Sequence, residues 1–162
     1  MPANIILPAL PELAKQFDVT TAVINITVTV YLVFQGVSPM FYGPVSDKFG
    51  RRPAFLLCLS LLILANVGLA VTPTSMFALF LILRCIQAAG CAPTIALGAG
   101  VIGDISVPSD RGGLFGFFNL GPMLAPNVAP AVGGALSQHL GWRSTFWFLV
   151  IFAACSLLFI AR

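Results

Sequence analysis

The chain has 162 residues, of which 59% are apolar and only 8% charged, with a net charge of +3 and a mean hydropathy of +1.01. A soluble domain carries about a quarter of its residues charged, and a water-soluble fold of this size cannot hide so much apolar surface, so lipid is the expected solvent. The few cations are too scattered to point to nucleic acid, and they read better as topology.

The first residues, Met1 to Leu10, are apolar but too short to span a bilayer; Pro8-Ala9-Leu10-Pro11 closes them, and Glu12, Lys15 and Asp18 follow. No basic stretch precedes them, so a cleaved signal sequence is a poor reading. Residues 1–12 are expected to be the end of a first helix whose start is missing, which makes the chain a fragment. Charge-poor windows then place helices at about 20–42, 54–71, 75–102, 113–137 and 144–161. Each is long enough for a ~30 Å hydrocarbon core. A charged turn, Gly43-Pro44-Val45-Ser46-Asp47-Lys48-Phe49-Gly50-Arg51-Arg52-Pro53, separates the first two; Pro73, Pro108 to Gly113 and Ser137 to Arg143 mark the later breaks. The expected fold is an all-α polytopic membrane bundle forming one domain over 1–162.

If the 43–53 turn faces the cytoplasm, that side holds Lys48, Arg51, Arg52, Arg111 and Arg162, against Lys15 and Arg143 outside, as positive-inside bias favours. Trp142 and Trp147 fall near the outer end of the last helix, where indole suits the interface. A shift of 91 residues superposes Val37, Pro39, Gly43, Ser46, Gly50, Arg52 and Phe55 on Val128, Pro130, Gly134, Ser137, Gly141, Arg143 and Phe146. Three helices per repeat is an odd number, so the second copy must run inverted.

The 43–53 turn follows the pattern Gly-x-x-x-Asp-Lys/Arg-x-Gly-Arg-Arg. Arg84-Cys85-Ile86-Gln87-Ala88-Ala89-Gly90-Cys91-Ala92 follows Arg-x-x-Gln-Gly-x-Gly-Ala-Ala with Gly90 the one glycine kept. Gly116, Ala125, Ala129, Pro130, Gly133 and Gly134 fall on Gly-x8-Gly-x3-Gly-Pro-x2-Gly-Gly, with alanine at two glycine positions. Together with Pro8-Ala9-Leu10-Pro11, these segments resemble the helix 2–3 loop, helix 4, helix 5 and helix 1 end of the major facilitator superfamily. The closest likeness is to its twelve-span drug:proton antiporters of the fungal multidrug-resistance type. That resemblance implies the amino-terminal six-helix half of a transporter exporting small drug-like organic molecules by proton antiport, an integral protein of the plasma membrane. It implies a bilayer and a small organic substrate as partners, a carboxy-terminal six-helix half outside this chain, and no cofactor besides the proton as coupling ion. Two alternatives stay open: a non-transporting fragment or half-transporter, and a nutrient facilitator or symporter, which the helix-5 pattern disfavours.

Arg84 lies about 13 Å into its span. A charge there costs ~3 kcal/mol or more and normally faces the protein interior. Gln87 and Cys91 share its helical face. Two readings stand: a bond to neighbouring carbonyls, or a fixed charge beside a transport path. Guanidinium does not deprotonate, so Arg84 cannot carry the proton itself and would instead hold a carboxylate charged or organise water. Asp104, at the inner end of helix 4, is expected to join Asp47, Arg51 and Arg52 in a charge cluster that gates the cytoplasmic ends, with simple anchoring as the bland alternative. Gly43 and Gly50 are expected to allow close approach or a left-handed turn, with Asp47 capping the turn that follows.

Gly121, Ala125, Ala129 and Gly133 form a small-residue ridge, and Pro122, Pro126 and Pro130 repeat at the same interval, which predicts a packed helix that bends or flexes. Tyr31, Phe34, Gln35, Asn119 and Asn127 are candidates for lining a substrate cavity. Cys58, Cys85, Cys91 and Cys155 read as packing residues, and His139 as a solvated loop residue. The sequence shows no nucleophile–base set, phosphate-cradling loop or metal-ligand spacing, so neither enzyme chemistry nor a metal is expected.

Overall fold

In the computed structural model the described residues are 2–6, 10, 13–14, 17, 19–73, 76–107 and 110–161, and no strand occurs among them. The elements are α1 (Pro2–Ile5), α2 (Thr21–Phe49), α3 (Arg51–Val71), α4 (Phe77–Ile105), α5 (Arg111–Leu140) and α6 (Trp142–Ala161). Lys15 and Arg162, both used in the charge-sidedness count, lie outside the described residues, as do Glu12, Asp18 and most of Pro8-Ala9-Leu10-Pro11.

Four helices, α2, α3, α4 and α6, are long and apolar enough to cross a membrane. The fifth, α5, has 30 residues, or about 45 Å of helix. Its three prolines, two asparagines and several glycines lower its hydropathy below that of the other four.

The helices run past the limits set by charge. The first span reaches Phe49 rather than stopping at residue 42, so Gly43, Asp47 and Lys48 belong to a helix and not to a turn. Gly43 is helical with open space around it, and of these two glycines it is Gly50 that adopts positive φ. Asp47 therefore does not cap α3; Gly50 holds that position and offers no side chain. Likewise α4 continues to Ile105, and α5 occupies Arg111–Leu140. Charged residues mark where lipid gives way to water, but a solvated carboxylate or ammonium does not break a helix. Gly or Pro at the right place commonly does end one.

At the core, α4 packs against both α2 and α3, α3 runs beside α6, and α5 joins α6 and α1. Gly90 explains the α3–α4 approach, since a Cβ there would lie 2.8 Å from the Cys58 carbonyl oxygen and from the Leu62 amide nitrogen. Two serines inside the spans are satisfied locally, Ser60 donating to the Leu56 carbonyl and Ser38 to that of Phe34, whereas the buried hydroxyls of Thr27 and Thr145 find no such acceptor.

The 91-residue repeat is visible in the backbone. Gly50 and Gly141 each link two helices as single residues, at φ +94°, ψ 160° and φ +80°, ψ 163°. Their amides donate to the carbonyls of Ser46 and Ser137, themselves a repeat pair. The following arginines reach across reciprocally. Arg52, starting α3, donates to the Ile160 carbonyl at the end of α6, and Arg143, starting α6, donates to the Thr72 carbonyl at the end of α3. Two antiparallel helices that clasp each other's ends in this way are related by a two-fold axis across them, which is the inversion three-helix repeats require.

At the Gly141 end, Phe17, Phe80, Trp142 and Phe146 interlock with ring centroids 5.3–6.3 Å apart. Leu13, Ile24 and Leu69 complete this core. Trp142 is thus 4% exposed and a core residue, not an interfacial anchor as expected, whereas Trp147 is 46% exposed. Phe80 and Phe146 meet the indole in T-shaped contacts, the geometry aromatic pairs favour.

Candidate functional site

Inside the bundle, α2, α3 and α4 meet around a charged and amide-bearing network. Arg84 and Gln87 stand one turn apart on α4, and both are buried. Arg84 Nη1 donates to Gln87 Oε1 at 2.6 Å, and Gln87 Nε2 donates to Asn66 Oδ1 at 2.7 Å. The chain ends where Asn66 Nδ2 donates to the Leu62 carbonyl of its own helix at 2.7 Å. Each amide uses its oxygen toward one neighbour and its nitrogen toward the next, which a polar group removed from water requires. From α2, Tyr31 lays its ring 5.0 Å from the Arg84 guanidinium carbon. A guanidinium over an aromatic face gains electrostatic attraction that grows as water is removed.

Sequence reasoning named Arg84, Gln87, Cys91 and Tyr31 but missed Asn66. The signal was present, because Asn66 is the one amide side chain in the apolar run Arg51–Val71. A buried amide in a span needs a partner on another helix. The acids among the described residues are Asp47, Asp104 and Asp110, all at helix ends, so no described carboxylate accompanies Arg84.

A second constellation occupies the end of the bundle that carries Gly50. Arg51 Nε donates to Asp104 Oδ2 at 3.0 Å, while its Nη1 lies 3.4 Å from Asp47 Oδ1 and 3.2 Å from Ser46 Oγ. One guanidinium thereby ties the last turn of α2 to the last turn of α4. Gly100 makes room for it, since a Cβ there would sit 2.9 Å from Arg51 Nη1. Of the expected cluster, Asp47, Arg51 and Asp104 come together; Arg52 turns toward Ile160, and Lys48 lies over the Phe49 ring at 5.7 Å. Arg111 secures the nearby connection by donating to the Gly103 carbonyl at 2.8 Å.

The ridge on α5 is used in its second half. Ala129 is buried beside Ile5 and Leu149, and Gly133 meets the Ile5 carbonyl so closely that any side chain would collide. Gly116 and Gly121 have open space in front of them. Ala125, Pro130 and Gly134 are partly buried on a helix that runs unbroken through Pro122, Pro126 and Pro130. Of the five cavity candidates, Tyr31 is buried against Arg84, Gln35 is partly buried, and Phe34, Asn119 and Asn127 are exposed, with Asn127 bonded to the Met123 carbonyl. Cys58 is buried and Cys155 exposed; the four cysteines are free, and no group of metal-ligating side chains occurs among the described residues.

Comparison with known proteins places this architecture. The chain is 42% identical over 156 residues to Citrate exporter 1 of Aspergillus niger, a match covering 96% of this chain and 29% of that protein. It is 40% identical over 159 residues to Multidrug transporter QDR2 of Candida glabrata, covering 98% of this chain and 27% of that one. The chain thus spans less than a third of the length of these curated relatives. Among solved structures, the human organic anion transporter MFSD10 (TETRAN) superposes with a TM-score of 0.67 at 24% identity, over 97% of this chain and 42% of that one, a likeness of fold. The family profile of the Major Facilitator Superfamily matches residues 1–162 from end to end, and with its inverted three-helix repeats and membrane spans the chain belongs to that superfamily of transporters.

Proposed function

We propose that the protein takes part in exporting small organic molecules across a membrane, the plasma membrane in the first instance, in exchange for protons. The observation that carries this reading is the buried Arg84–Gln87–Asn66 chain faced by Tyr31. A fixed charge is held in a bilayer-crossing bundle at a cost that lipid anchoring alone does not repay. Arg84 supplies the fixed charge, Gln87 and Asn66 hold its direction, and the protons move through groups other than these. Relatives named for citrate export and for multidrug transport support organic solutes as the substrate class. The open small-residue face at Gly116 and Gly121 and the exposed Phe34, Met40 and Phe41 of α2 suit close packing by the remaining helices of a complete transporter.

The test is efflux of a fluorescent organic cation and of labelled citrate from vesicles containing the protein, with and without an imposed pH gradient. Export that rises with the gradient and collapses with a protonophore is expected. Transport indifferent to the gradient would overturn the antiport reading, and inward-only flux would favour a facilitator.

A further inference from the structure

Along α2 the residues turned into the bundle recur every three or four positions, and from Thr27 onward each is polar: Thr27, Tyr31, Gln35, Ser38, Tyr42 and Ser46. The opposite face, with Val33, Val37 and Phe41, is exposed and apolar. Three contacts fix where the polar row lies. Tyr31 faces Arg84 of α4, Tyr42 packs on Ala54, Cys58 and Leu97 of α3 and α4, and Ser46 accepts from Arg51. The row therefore follows the seam between α2 and α4 for about 28 Å, from the buried network to the ion pairs beside Gly50.

Hydrogen bonding in this seam is incomplete. Thr27 Oγ1 and Gln35 Oε1 are buried without a partner. On the outer face Thr29 closes onto the Asn25 carbonyl of its own helix, but Thr27 does not turn back in that way. Two prolines free further acceptors. Pro39 offers no amide to the Gln35 carbonyl, and Pro93 offers none to that of Ala89. Tyr31 faces Arg84 and both helices run in the same direction, so Pro39 and Pro93 lie at one depth, about 12–14 Å further along. Inside a bilayer such carbonyls take donors from neighbouring side chains or from ordered water. Successive members of the row stand about 5 Å apart along the axis, close to the length of two hydrogen bonds, which leaves room for one bridging water each.

The two ends of the row differ. Ile24, one turn before Thr27, belongs to the closed core with Phe80 and Phe146. Ser46 lies beside Arg51 and Asp47, which are partly open to solvent.

We propose that the α2–α4 seam binds a column of ordered water, entered from the Gly50 end and closed at the Gly141 end. The Thr27 hydroxyl, the Gln35 amide oxygen and the Gln35 and Ala89 carbonyls hold it, and it brings water to the Arg84 network from one side. The column rests on the membrane-spanning fold. Its use, access to Arg84 from the cytoplasmic side, rests on the export reading.

Hydroxyl-radical footprinting with X-rays on the protein in nanodiscs tests it, because radicals form at bound water and those from bulk do not cross lipid tails. Mass spectrometry then reads the modification of each aromatic ring. Tyr31, 1% exposed, is expected to react several times faster than Phe80 and Phe146, at 0% and 1%. Gln35→Leu keeps the bulk but removes the orphaned oxygen. It should slow Tyr31 severalfold and spare Tyr42, which lies nearer the open end. Tyr31 no faster than Phe80 and Phe146, or Tyr31 unchanged by Gln35→Leu, would overturn the column. Equal slowing of Tyr31 and Tyr42 would also overturn it, by pointing to repacking of α2. If Gln35→Leu fails to fold, the ratio of Tyr31 to Phe146 in the parent decides alone. No readout needs solute flux, so failure to export would leave the column testable, and a dry seam would leave the export reading standing.

Discussion

At Gly50 the chain turns from α2 into α3, and at Gly141, 91 residues on, it turns from α5 into α6 with nearly the same dihedral angles and the same amide-to-serine bond. The residues placed on that shared turn differ in kind. After Gly50 comes Arg51, paired at 3.0 Å with Asp104. After Gly141 comes Trp142, and the repeat counterpart of Asp104 is Leu13, buried with Trp142 in one apolar core. An ion pair at one junction therefore stands where an aromatic contact stands at the other. The aromatic junction excludes water and is held by area. The ionic one is half-open to solvent, where a pair contributes on the order of 0–1 kcal/mol and can be traded for water or another partner. One end of the bundle is sealed by buried aromatic packing, and the other is tied by partly exposed ion pairs.

Breaking the aromatic junction should have the largest effect. Trp142→Ala is expected to destabilise the bundle by about 3–5 kcal/mol, seen as a lowered midpoint in thermal scanning of the detergent-solubilised protein. Midpoints within a degree or two of the parent would show that the rings are not structural. Next comes the buried network, which belongs to neither junction. Gln87→Leu strands Asn66 Oδ1 and takes an acceptor from Arg84, with an expected loss of about 1–3 kcal/mol and a fall in transport larger than the fall in folded protein. Gly50→Ala and Gly141→Ala force a side chain into positive φ at about 1–2 kcal/mol each. Because the turns match, the two losses should agree; a gap wider than about 1 kcal/mol would break the equivalence of the repeats. Asp104→Asn should change stability by less than about 1 kcal/mol while slowing transport, and Asp47→Asn, at 3.4 Å from Arg51, should do less on both counts.

Much of this was legible in the residues. Apolar runs gave the spans, and the identities around Gly50 and Gly141 gave the repeat, because a positive-φ turn tolerates little besides glycine. Arg84 announced itself as a charge where lipid forbids one. The ends at Val71 and Ala161 agree with expectation, but α2 runs on to Phe49 past the expected residue 42, since charge reports solvent and not backbone conformation. Trp142 was assigned to the interface because an indole near a span end fits a lipid surface and an aromatic core equally well. Only the neighbours Phe80 and Phe146, brought together from two helices, decide between them. Asn66 escaped because its meaning depends on Gln87, 21 positions away, arriving within 2.7 Å.

A double-mutant cycle on Arg51→Gln and Asp104→Asn, read as the rate of solute flux in sealed vesicles with folded protein held equal, bears most directly on the idea that the charged junction works as a clasp. The clasp predicts that each change slows flux by a similar factor and that the pair together is no slower than either alone. Two independent penalties that multiply, or flux unaffected by either change, would mean that the 3.0 Å contact anchors the bundle without taking part in its movement.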